Sequence, residues 1–74
     1  MENMDEQIEK YRGIVYAQLK ALHLSYDEDA TSIGLIALHK AISTFEHNKG
    51  AKLSTYATTC VYNALGGYLR NQKT

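Results

Sequence analysis

Apolar residues recur at spacings of three and four along almost the whole 74-residue chain, and only two short stretches interrupt them. Ile8, Tyr11, Val15, Leu19 and Leu22 mark a first helix from about Asp5 to Leu22, in which Gly13 is the one weak helix former. The first interruption, Ser25-Tyr26-Asp27-Glu28, reads as a capping box in which Ser25 and Glu28 each satisfy an amide of the other's residue. Leu24 ahead of it can act as a hydrophobic staple. A second helix is then expected from about Tyr26 to Phe45, with Asp27, Glu28 and Asp29 favourably set against its dipole. The second interruption is a short turn on Gly50, after which Ser54 or Thr55 caps a third helix running to about Leu69. The pattern predicts an all-α fold, a small three-helix domain occupying residues 1–74 as a single unit.

The second helix carries more apolar residues than one buried face can use. With residues set about 100° apart, Ala30, Gly34, Ala37, Leu38, Ala41 and Phe45 share one arc, with Leu35 and Ile42 on its shoulder. Asp29, Ser32, Ile33, Ile36, His39 and Lys40 fall on the other side. Exposed Ile33 and Ile36 among polar neighbours read as a protein-binding face, unless a further element or self-association covers them. Gly34, Ala37 and Ala41 allow close helix approach. On the third helix Ala57, Cys60, Val61, Ala64, Leu65 and Tyr68 form the buried arc. The opposite face carries Tyr56, Thr59, Asn63, Gly66 and Arg70, which can stack bases, bond their edges and reach phosphate, although most polar helix faces are only solvated. Gly66-Gly67 costs about 1 kcal/mol per residue relative to Ala, so the last turn is expected to fray or bend.

Composition narrows the function classes. All eight acidic residues fall at or before Glu46, against four cations there, whereas Lys49, Lys52, Arg70 and Lys73 follow with no acid among them. Such an asymmetry points the two halves at different partners, and a basic half interleaved with aromatics suits nucleic acid. The stretch Phe45 to Tyr62, with its turn, its lysines and its hydroxyl residues, is therefore the expected functional centre. A single Cys cannot form an internal disulfide, Met1 to Lys10 is acidic and polar rather than a signal peptide, and no apolar run approaches the ~18 residues of a spanning helix. A cytoplasmic protein without a membrane is expected. His23, His39 and His47 are neither spaced nor grouped with Cys60 as a metal site requires, and no phosphate loop or acid-base pair is visible. The expectation is no enzyme, no cofactor and no metal.

Three strings carry a family resemblance. Asp29 to Phe45 reads D-x-x-x-x-G-x-I-x-L-x-K-A-x-x-x-F; Gly50 to Ala57 reads G-A-K-L-S-T-Y-A; Val61 to Arg70 reads V-Y-N-A-L-G-G-Y-L-R. Together they resemble region 2 of bacterial RNA polymerase sigma factors of the sigma-70 family, an all-helical module, and the first helix fits the same layout. The resemblance implies a role in transcription initiation, with core RNA polymerase, through the clamp of its largest subunit, and the non-template strand of the promoter −10 element as partners. The clamp-binding positions it implies are Asp29, Ser32, Ile33, Ile36 and His39. Those implied for an adenine flipped from the non-template strand are Phe45, Glu46, Lys49, Thr55 and Tyr56, with Lys52 beside them for phosphate. Thr59, Asn63, Gly66 and Arg70 on the third helix complete the implied DNA-binding set.

The chain also departs from the family. Ala37 stands where a second glycine is usual, and Ser32 where glutamine is usual. Thr59 and Cys60 occupy the positions at which primary sigma factors carry paired tryptophans, which implies weaker duplex melting. With nothing after Thr74 to read a −35 element, and with a native-looking Met1, the expectation is a stand-alone region-2 subunit whose region-4 partner is a separate protein, rather than a fragment. The alternative is a protein-interaction module that occupies the sigma site on polymerase and modulates transcription without specific DNA binding.

Overall fold

The computed structural model describes residues 4–46, 50 and 52–72, with the side chains of Met4 and Gln72 left aside. The described residues form three helices, α1 (Met4–Ala21), α2 (Glu28–Thr44) and α3 (Leu53–Gln72), joined by short non-helical connections, with no strand among them. This is the all-α three-helix fold that the periodicity predicts. Each helix packs on both of the others.

The core forms where the three apolar stripes meet. Val15 and Leu19 of α1, Ala30, Leu38, Ala41 and Ile42 of α2, and Ala57, Val61 and Leu65 of α3 are buried together. Gly34 is buried in α2 for a geometric reason. A Cβ at this position would lie 2.7 Å from Val15 Cγ1, so the axes of α1 and α2 approach as closely as they do only because position 34 has no side chain. Several arcs are narrower than the sequence predicts. Ala37, Phe45, Cys60, Ala64 and Tyr68 are half-buried, and Ile42 joins the core from the shoulder. Ile33, expected on the outer face, is half-buried and packs against the core's edge.

The connection between α1 and α2 differs from the predicted capping box. At the end of α1 the Leu24 amide donates to the Leu19 carbonyl at 2.7 Å and the His23 amide to the Lys20 carbonyl at 3.2 Å, the paired bonds of a Schellman motif. His23 takes the left-handed position with φ of 60°. Leu24 is thereby folded back onto the core, and the chain turns again before α2 starts. The cap then falls on Asp27, whose Oδ1 accepts from the Ala30 amide at 3.0 Å, while Ser25 is exposed and Glu28 is already helical. A second bond explains why Asp27 is used: the Tyr68 hydroxyl of α3 donates to its Oδ2 at 2.8 Å.

At α3 the helix begins at Leu53, so neither Ser54 nor Thr55 is its cap. The Lys52 carbonyl accepts from the Tyr56 amide at 3.1 Å, and the carbonyls of Ser54 and Thr55 accept the Thr58 and Thr59 hydroxyls at 2.7 and 3.1 Å. The far end runs through Gly66-Gly67 to Gln72, past the predicted stop at Leu69, with Tyr68 tied to the start of α2.

Candidate nucleic-acid and protein interfaces

On the outer side of α2, Asp29, Ser32, Ile36 and His39 are exposed. Ile36 is 67% exposed, which leaves a large aliphatic side chain in water on a helix whose opposite face is fully used by the core. Ile33, one turn before, is half-buried against the core. Among the implied clamp-binding positions, Ile36 is thus the apolar centre and the other exposed members form a polar rim.

The second candidate surface lies where α2 ends and α3 begins. Phe45 leaves α2 in an extended conformation, φ −64° and ψ 134°, and its ring lies 5.7 Å from that of Tyr56 at 43°. The Thr44 hydroxyl donates to the Lys40 carbonyl at 2.9 Å, so its 3.1 Å bond to the Tyr56 hydroxyl is one in which Tyr56 donates. Tyr56 is therefore held at both its ring and its oxygen, and is half-buried rather than freely displayed. Thr59 spends its proton on the Thr55 carbonyl and offers only an acceptor to any ligand.

Glu46, Lys52, Thr55, Thr59, Asn63 and Arg70 are exposed, and Gly66 is half-exposed. The helix thus brings Tyr56, Thr59, Asn63, Gly66 and Arg70 along one side of α3, while Phe45 reaches Tyr56 from the end of α2. Lys49, also implied in DNA binding, lies outside the described residues.

Sequence reasoning missed a groove between α2 and α3. It has a volume of about 310 Å³ and is lined by Ala37, Lys40, Ala41 and Thr44 on one side and Tyr56, Cys60, Asn63 and Ala64 on the other. The signal was available in the three alanines, whose short side chains fail to fill the space between the helices. Cys60, assigned to the core by its arc, is half-buried against the core and also lines this groove, and Lys40, assigned to the outer face of α2, is exposed and lines it too.

Electrostatics are distinctive at the tie between helices. The Ala30 amide, followed by the Tyr68 hydroxyl, holds the Asp27 carboxyl below the ordinary carboxylate range. The hydrogen bond to Asp27, followed by burial, pushes Tyr68 up to about 12. Among the described residues no group of three His, Cys, Asp or Glu could hold a metal, and no helix is long and apolar enough to cross a membrane.

Comparison with known proteins returns one family from independent directions. The model of Sigma-70 region 2 matches residues 7–74. The RNA polymerase sigma-E factor of Clostridium acetobutylicum is 46% identical over 43 residues, 58% of this chain and 18% of that protein. The RNA polymerase sigma-28 factor of Bacillus thuringiensis subsp. kurstaki is 49% identical over 43 residues, again 58% of this chain and 18% of its own length. The RNA polymerase sigma-K factor of Bacillus subtilis is 47% identical over 38 residues, 51% of this chain and 13% of the relative. The chain spans less than a fifth of the length of each of these relatives. No solved structure matches it.

Proposed function

This chain belongs to the sigma-70 region 2 family, and from that membership we propose that it acts in transcription initiation as a module joining core RNA polymerase to promoter DNA. The outer face of α2, centred on Ile36 with Asp29, Ser32, His39 and the half-buried Ile33 around it, docks on the polymerase clamp. The Phe45–Tyr56 corner and the side of α3 formed by Thr59, Asn63, Gly66 and Arg70 engage the non-template strand of the −10 element. Glu46, Lys49, Lys52 and Thr55 flank that corner in sequence and supply base-edge and phosphate contacts. The work is that of a non-catalytic cytoplasmic factor.

The observation that carries this reading is Ile36. A side chain of that size, 67% exposed on a helix whose inner face already fills the core, gains by being covered, and its position is one of those the family resemblance assigns to polymerase contact. The side of α3 beyond Tyr56 is separately furnished for nucleic acid: an amide, an accepting hydroxyl and a guanidinium, with no carboxylate among them.

The test is binding of core RNA polymerase by the purified chain, followed by promoter opening in the complex. Ile36→Glu should weaken polymerase binding at least tenfold, because a carboxylate would have to be desolvated in the contact. Asn63→Ala and Tyr56→Ala should leave that binding intact and reduce promoter opening. Normal polymerase binding by Ile36→Glu would remove the clamp assignment. Intact opening by both DNA-face variants would leave a polymerase-binding modulator instead.

A further inference from the structure

Beyond Leu65, a single side chain ties the end of α3 to the rest of the molecule. Leu65 is the last buried residue among those described, and of the apolar side chains that follow it only Tyr68 packs against the core. Arg70 and Asn71 are exposed. The Tyr68 hydroxyl donates to Asp27 Oδ2 at 2.8 Å, and Asp27 Oδ1 accepts from the Ala30 amide at 3.0 Å. One carboxylate therefore caps α2 and receives the end of α3.

Immediately before Tyr68 the helix is at its weakest. Gly66 and Gly67 stand side by side there, and each favours a helix less than alanine would. Packing asks for neither of them. A Cβ on Gly66 would meet nothing within 4 Å, and one on Gly67 would make an ordinary contact, 3.9 Å from Arg70 Nη2. Neither glycine has a positive φ. The same 3.9 Å distance shows the Arg70 guanidinium folded back over Gly67, so its place depends on the course of the helix through the glycine pair. Tyr68, the next residue, is what fixes that course.

We propose that Tyr68 is a positioning residue for DNA binding: its bond to Asp27 holds α3 beyond the glycine pair so that Arg70 meets a DNA phosphate. This rests on the DNA reading above and deepens it. The bond also sets the end of α3 against the start of α2, where Asp29 and Ser32 belong to the proposed polymerase face. The separation between the two partners is thus set through a single hydrogen bond, and Tyr68 touches neither of them.

The test reads a phosphate contact by its salt dependence. The chain is bound to core polymerase, and the probe is a fluorescently labelled, partly single-stranded oligodeoxynucleotide carrying the −10 element of a promoter the complex opens. Affinity is measured by anisotropy from about 50 to 200 mM salt. Arg70→Ala should lower the slope of log K against log salt by about 0.7–0.9, the share of one phosphate. Tyr68→Phe keeps the ring and removes only the donor, and it should lower the slope by the same amount although the guanidinium is still present. The double variant should lose no more than either single one. Gly67→Ala, which stiffens the joint, should restore the slope in the Tyr68→Phe background. A purely structural loss would reduce the bound fraction at every salt concentration and leave the slope unchanged.

A normal slope in Tyr68→Phe, with a lowered one in Arg70→Ala, would overturn the positioning role while the DNA reading stands. Additive losses in the double variant would overturn it too, since Tyr68 would then act on some other contact. Failure of Gly67→Ala to restore the slope would overturn the part given to the glycine joint. An unchanged slope in Arg70→Ala would mean that the guanidinium meets no phosphate, which removes the role of Tyr68 and leaves the rest of the DNA face. Absence of DNA binding in the complex would overturn the DNA reading and this inference together.

Discussion

At the scale of single residues, two backbone positions decide how the helices meet. Gly34→Ala would set a methyl 2.7 Å from Val15 Cγ1, so α1 and α2 must separate or Val15 must leave its rotamer. We expect a loss of about 1–3 kcal/mol in urea unfolding. In a Val15→Ala background the same substitution should cost markedly less, a coupling that a double-mutant cycle reads directly. His23 presents the opposite case, a side chain where none is wanted. With φ of 60° it holds the left-handed position that glycine adopts freely, and His23→Gly should raise stability by about 1 kcal/mol. Gly34 was legible in the sequence as a residue permitting close approach, but the identity of its neighbour was not. Which residue of α1 lies opposite depends on the crossing of the two helices, and periodicity along one helix carries no information about that.

The helices themselves were legible to within a residue or two where their ends depend on local pattern, and less so where a distant residue intervenes. Ser25 and Glu28 have the spacing of a capping box, yet Asp27 caps α2 because Leu24 must first return to Leu19 and because Tyr68 arrives from α3 to bond the same carboxylate. The second cause lies 41 residues away and leaves no local trace. It does leave a titration signature. Asp27 has a lowered folded-state pKa, so its contribution is present above the ordinary carboxylate range and is lost as pH falls through the folded value. Tyr68 is raised from 10.0 to about 12, so its contribution is complete below about 10 and is lost as pH rises toward 12. Stability measured against pH should therefore decline on both limbs. Tyr68→Phe should flatten the alkaline limb and leave most of the acid one, because the Ala30 amide remains the larger cause at Asp27. Asp27→Asn should return the phenol midpoint toward 10 and still cap the helix. The stripe of Tyr56, Thr59, Asn63, Gly66 and Arg70 on α3 was readable from periodicity, whereas the groove beside it was signalled only by its alanines, because which of them come together depends on how the two helices cross.

For the whole molecule, stability and surface are drawn from separate sets of residues. A domain of 74 residues has about 4–11 kcal/mol to lose, at about 0.05–0.15 per residue. Leu65→Ala, which empties a fully buried position, should remove about 2–5 kcal/mol and leave a substantial unfolded population in a thermal melt. Ile36→Glu should change the same melt by no more than about 0.5 kcal/mol, since its side chain stands in water. Loss of polymerase binding in the second variant is then a statement about the surface alone. The bond between Asp27 and Tyr68 has a further bearing, on how the chain comes to be made. Tyr68 stands near the last turn of α3, and Leu65, one turn earlier, completes the core. A ribosome that has released only α1 and α2 has produced a hairpin with one wall missing and the cap of its second helix half-engaged. The native arrangement closes only once α3 has also left the exit tunnel, so until then the apolar stripes of α1 and α2 stay open to chaperones and to other chains.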